Sequence, residues 1–147
     1  MIGKIYKDIA EILMNGLGGV VRHVDLWNEQ VAFIEEEVPF DFPAVFVQFG
    51  QIDWKPVNIG SGLCWRGECA VSLHIVDRWP GSAAVGSDEA DAALGVFDLA
   101  KGIHEKLEGV TGDGYDGLRL VSSIVNHNHE DIIENIEVYK TKLYRML

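Results

Sequence analysis

Over residues 68–77 the chain alternates. Cys69, Val71, Leu73 and Ile75 fall on one face of an extended strand, with Ser72 and His74 on the other. A strand with one apolar face buries it only inside a sheet that another layer covers. The candidates for that layer are legible too. Ile2, Ile5, Ile9, Ile12 and Leu13 recur at steps of three and four, with Lys4, Lys7, Asp8 and Glu11 between them, which is the period of an amphipathic helix over residues 2–14. Asn15-Gly16 and Gly18-Gly19 stop it. A second helix is expected from Ser87, a good N-cap followed by Asp88 and Glu89, to about Glu108. Ala90, Ala93, Leu94, Phe97, Ala100, Ile103 and Leu107 share one of its faces, and Gly109 ends it.

Further strands are expected at residues 20–27, where Val20, Val24 and Leu26 oppose His23 and Asp25, and at 44–49 behind Pro43. Two more follow at 118–126 and 136–146. The glycine-interrupted stretch 50–67, carrying Trp54 and Trp65, reads as a long connection that makes 44–49 and 68–77 an extended antiparallel hairpin. In the last strand Tyr139, Leu143 and Leu147 share one face and Lys142, Tyr144 and Met146 the other. Neither face is cleanly apolar, which suggests an edge strand or one packed against a partner. The acidic segment 28–42 reads as irregular. The order α-β-β-β-α-β-β implies an α+β fold, a mainly antiparallel sheet with two helices packed on it, in a single domain spanning 1–147.

Composition narrows the function. At 48% hydrophobic and 24% charged, the 147 residues suit a folded globular chain. The net charge of −11 disfavours generic nucleic-acid binding, which needs a basic, counterion-releasing surface. The apolar runs are too short for a membrane span and the N-terminus lacks a signal-peptide pattern, so a cytoplasmic location is expected. Cys64 and Cys69 have neither redox nor zinc spacing and are expected to be free thiols. Glu29, Glu35, Glu36, Glu37 and Asp41 contrast with Lys140, Lys142 and Arg145 near the end. Such an asymmetry permits head-to-tail pairing of copies, although a solvated surface is the plainer reading of it.

The candidate chemical motifs each meet a geometric objection. Gly16-Leu17-Gly18-Gly19 follows a helix and precedes a strand, the reverse of a phosphate loop. Cys64, Cys69 and His74 sit at odd separations, which scatters them over both faces of a strand, with His74 exposed and the cysteines packing. His127 and His129 would share a face and form a workable pair of metal ligands, but a third ligand is missing and a polar hairpin tip explains the same string. Asp113 to Gly117 lacks the bidentate Glu of a calcium loop, since Ile124 stands at that position. Ser61, between Gly60 and Gly62, is no nucleophile elbow. A non-enzymatic role without cofactor is expected. Trp54 and Trp65 either anchor a partner or fold back onto the sheet.

The run from Phe42 to Gly50 (FPAVFVQFG) and that from Cys69 to Asp77 (CAVSLHIVD) resemble tail terminator and tail completion proteins of tailed phages and prophages. The layout continues with a helix containing Val96-Phe97-Asp98-Leu99-Ala100 and Ile103-His104-Glu105-Lys106-Leu107, then a closing hairpin ending in Tyr139-Lys140-Thr141-Lys142-Leu143. The resemblance implies a small α+β protein that forms a ring, typically a hexamer, capping the tail tube. Its partners would be further copies of itself, tail-tube protein and head connector, first in the cytoplasm during assembly and then in the virion tail. The family has no catalytic signature to transfer. Trp54, Trp65, Lys140, Lys142 and Tyr144 are the expected contact residues by inference from their placement. The competing readings are a small metal- or ligand-binding domain using His127 and His129, and a monomeric adaptor binding through Trp54 and Trp65.

Overall fold

The computed structural model describes residues 2–28, 40–60, 62–79, 81, 83–88, 90–126 and 132–147. The helix α1 (Ile2–Asn15) buries Ile5, Ile9 and Leu13 along one stripe. It is followed by β1 (His23–Leu26), β2 (Ala44–Phe49), β3 (Lys55–Ile59) and β4 (Gly62–Arg78). Then come a short α2 (Ala90–Ala93), α3 (Gly95–Leu107), β5 (Tyr115–Asn126) and β6 (Ile132–Met146). The strands form one sheet in the order β1-β2-β4-β6-β5, with β3 paired to β4 off this path. All pairings are antiparallel except β1 with β2. The fold is α+β, as the sequence implies.

Three details depart from the sequence reading. The stretch 50–67 is not merely a connection, because β3 forms a tight hairpin with the start of β4, from Lys55 opposite Arg66 to Ile59 opposite Gly62. The element order therefore gains a strand, and β4 extends to 17 residues, about 55 Å. Its later residues, Val71 to Val76, pair with β2, so β3 and β2 follow one another along one edge of β4. Along the other edge β6 runs from Cys64 to Arg78.

Second, β6 is not an edge strand. It lies between β4 and β5, and its two mixed faces serve two environments. Tyr139 and Leu143 pack under the helices, whereas Lys140, Lys142 and Tyr144 alternate onto the opposite side. The strand outside β6, β5, is one of the two terminal strands of the sheet, and β1 is the other. Third, the helix expected over 87–108 is interrupted at Leu94, which caps α3. Gly109, at φ +80, does end α3.

Two apolar clusters lie on opposite faces of the sheet. The larger joins Ile5, Ile9 and Leu13 of α1 and Val96, Ala100, Ile103 and Leu107 of α3 to Cys69, Val71, Leu73 and Ile75 of β4. The smaller joins Phe40, Ala44, Phe46, Val76 and Ile132, with Trp27 and Phe42 packed against it. At that end the sheet is covered on both sides, which is why Ala44 to Val47 and Leu73 to Val76 are continuously buried.

Candidate functional site

The β3–β4 arm carries the two tryptophans. Gly67 sits beneath Trp54: a Cβ at position 67 would lie 2.6 Å from Ile52 Cγ2 and 3.3 Å from Trp54 Cε3, so only glycine admits this approach. Trp54 also packs against the main core, and the Arg145 guanidinium stands 4.6 Å over its ring centroid. Trp54, Trp65, Arg145 and Leu147 together line a cleft of about 310 Å³. The structure thus brings together the two tryptophans singled out from the sequence and adds Arg145.

Lys140, Lys142 and Tyr144 share the other face of the same arm. In register, Lys140 stands opposite Arg119, Tyr144 opposite Arg66, and Arg66 opposite Lys55. Glu68 bridges this group, accepting from Arg119 Nη2 at 3.2 Å and lying 3.6 Å from Lys140 Nζ. These ion pairs are half exposed, so each contributes about 0–1 kcal/mol. A groove of about 400 Å³ runs between Lys55, Val57, Arg66, Glu68 and Lys142. The basic end read from the sequence is therefore divided, with Arg145 on the tryptophan side and Lys140 and Lys142 on the open side.

The margin of the sheet beyond β6 is β5. Val121 is 46% and Ile124 55% exposed, and residues 120–126 hold no charged side chain. Register shifts between Asp116 and Arg119 and between Leu120 and Ser122 bend the strand, leaving Ser122 to Asn126 as a regular run against β6.

Beneath the smaller apolar cluster lies a row of polar side chains across four adjacent strands. Gln48 Oε1 meets His74 Nε2 at 2.8 Å, His74 Nδ1 meets Glu134 Oε2 at 2.7 Å, and Asn126 Nδ2 donates to Glu134 Oε1 at 2.8 Å. His74 is 6% and Glu134 2% exposed. His74 does face away from the helices, but it is buried rather than exposed. The sequence pattern located its face and missed that Trp27, Phe40 and Phe46 build a second cover there. Hydrogen bonds on both ring nitrogens and an indole over its face hold the imidazole in one orientation.

On the helix side, Glu137 accepts from Ser123 Oγ and Asn135 Nδ2. Nearby, the Tyr139 hydroxyl is buried without a hydrogen-bond partner among the described residues. Burial pushes the Tyr139 phenol up, assisted by the charges of Glu137 and Glu108. Burial likewise raises Tyr115, whose hydroxyl donates to Asp8 Oδ2 at 2.6 Å, and the same bond, after that from Lys4, lowers Asp8. Cys64 and Cys69 are free and buried, with the Cys69 thiol raised by burial. His127 and His129 lie outside the described residues. Among the described residues no three His, Cys, Asp or Glu side chains are grouped to hold a metal ion.

The sequence matches no protein-family model, and no curated protein matches it. Among solved structures, a chain of the virion of a native gene transfer agent (GTA) particle is similar over 95% of this chain and 92% of its own, with a TM-score of 0.48 and 14% identity. At that level the likeness assigns no role to any residue.

Proposed function

We propose that the chain is a structural protein of a phage-like particle, a ring-forming tail terminator or tail completion protein that caps the tail tube through protein contacts. The margin of β5 carries this reading. It presents the outer backbone groups of a terminal strand beside exposed Val121 and Ile124, without the lysines that usually deter pairing. Such a margin is a template for a strand of another chain. The sequence layout shared with tail terminator and completion proteins agrees, since this margin belongs to their closing hairpin. On this reading Trp54, Trp65, Lys140, Lys142 and Tyr144 are further contact residues. The partners are copies of the chain, in a ring such as a hexamer, then tail-tube protein and head connector. The role is binding, with no chemical step.

The test is native mass spectrometry and sedimentation of the wild type and of Val121→Lys/Ile124→Lys. The wild type is expected to form a closed ring, and the variant to remain monomeric with an unchanged thermal melt, because both side chains already face solvent. Assembly by the variant indistinguishable from wild type would remove the β5 margin as the contact. Genomic neighbours lacking capsid, connector and tail-tube genes would remove the particle role.

A further inference from the structure

We infer that the open face of the arm is a docking surface for the acidic far end of a second copy of this chain, so that copies join head to tail. This rests on the self-assembling role proposed above and deepens it by adding a second, charge-paired contact to that of the β5 margin.

The sheet register gathers Lys55, Arg66, Arg119, Lys140 and Lys142 onto one face of the arm. These are five of the chain's 12 basic side chains, in a protein whose net charge is −11. Glu68, through its pairs with Arg119 and Lys140, Asp116, opposite Lys142, and Asp53, beside Lys55 in the groove, offset part of the charge and leave the face with a basic excess. Exposed Met146 lies on the same face and adds an apolar border.

The opposite end has the complementary character. No Lys or Arg occurs between Arg78 and Lys101, whereas Asp88, Asp91 and Asp98 lie there and are exposed. Val85, Leu94 and Trp79 are exposed among them. The topology separates the two patches. β4 leaves the arm at Arg66 and ends at Arg78, about 40 Å further along the strand. The helix α3 then returns, so that Gly109 N donates to Leu118 O and Tyr115 pairs with Leu143, back beside the arm. The acidic stretch that opens α3 therefore lies at the end remote from the basic face.

Two complementary patches at opposite ends of one molecule do not satisfy each other within a copy. Between copies they make a heterologous contact, which adds subunits in a constant sense and closes into a ring when the rotation permits. Opposed potentials of this kind set partner orientation and association rate, and salt weakens them.

The experiment compares the wild type with Lys140→Glu/Lys142→Glu and with Asp88→Lys/Asp91→Lys by light scattering. Measurements run at low salt and at about 1 M salt, where charges are screened beyond about 3 Å. Each variant is expected to fold with an unchanged circular dichroism spectrum and to self-associate about tenfold or more weakly. An equimolar mixture of the two variants is expected to recover association, because each supplies what the other lacks. Wild-type assembly left unaltered in both variants would overturn the inference and leave self-assembly standing, and so would a mixture that fails to recover. Salt-sensitive binding of duplex DNA, lost in the lysine variant while self-association is untouched, would overturn it in favour of a nucleic-acid surface. A wild type monomeric at every concentration and salt would remove both the inference and the self-assembling role beneath it.

Discussion

Trp27 lies flat on the His74 imidazole, with ring centroids 3.7 Å apart and planes inclined by 5°. The indole is the cover that keeps water from a histidine–carboxylate pair on a face that would otherwise be open. Trp27→Ala is expected to cost about 2–4 kcal/mol, combining lost burial with lost stacking. The measurement is a urea midpoint falling at unchanged slope, and Trp27→Phe should recover part of the loss.

The His74–Glu134 pair behaves differently according to how it is removed. Glu134→Ala leaves the imidazole buried without its carboxylate and is expected to cost about 3–5 kcal/mol. Replacing both by apolar residues of similar volume, as in His74→Phe/Glu134→Leu, should cost far less than that single change. Chemical denaturation of the two variants beside the wild type reads the difference. Equal costs for the single and double variants would show that the pair contributes nothing beyond packing.

Alkaline stability should depend on Tyr115 and Tyr139, both raised above the ordinary 10.0. The folded state keeps each phenol neutral while the unfolded chain ionises. Their contribution is thus complete below about pH 10 and declines as pH rises beyond it. Tyr139→Phe removes a hydroxyl that has no partner among the described residues, so neutral-pH stability should stay level or rise by up to about 1 kcal/mol. Tyr115→Phe should instead cost about 1–2 kcal/mol by breaking its bond to Asp8. Thermal melts across neutral and alkaline pH distinguish the two.

Gly67→Ala should disturb the arm specifically. The new methyl meets Ile52 and Trp54, and overpacking of this kind costs about 1–3 kcal/mol. Displacement of Trp54 from beneath Arg145 should change the tryptophan emission. Gly50→Ala, whose Cβ would meet Ala70 Cβ at 3.4 Å, serves as the milder comparison.

What could be read from the sequence follows from where burial is one-sided. Ile5, Ile9 and Leu13 in α1, and Cys69 to Ile75 in β4, announced their faces because water lies on the opposite side of the helix or a second environment on that of the strand. Periodicity does not reveal which strands are neighbours. Hence β6 resembled an edge although it is central, its lysines facing the open side of the sheet rather than a margin. Gly60 and Gly62 marked a turn, but Lys55, Pro56 and Asn58 gave β3 little β-propensity, so the hairpin went unread. His74 and Glu134 stand 60 residues apart, and nothing local to either forecasts their bond. Lys140, Lys142, Trp54 and Trp65 were conspicuous, but the division of Arg145 from the two lysines needed the alternation of β6 in register with β4.

The length of β4 has a mechanical consequence. The arm is not hung from the body by a loop; one uninterrupted backbone passes from its tip into the middle of the main core, tied along that whole path by β6. Force applied at the tip is therefore borne in shear by the central ladder of the molecule instead of being absorbed at a hinge. A protein grasping the tip would be gripping a stiff cantilever, and the angle at which it is held is dictated by the twist of the sheet.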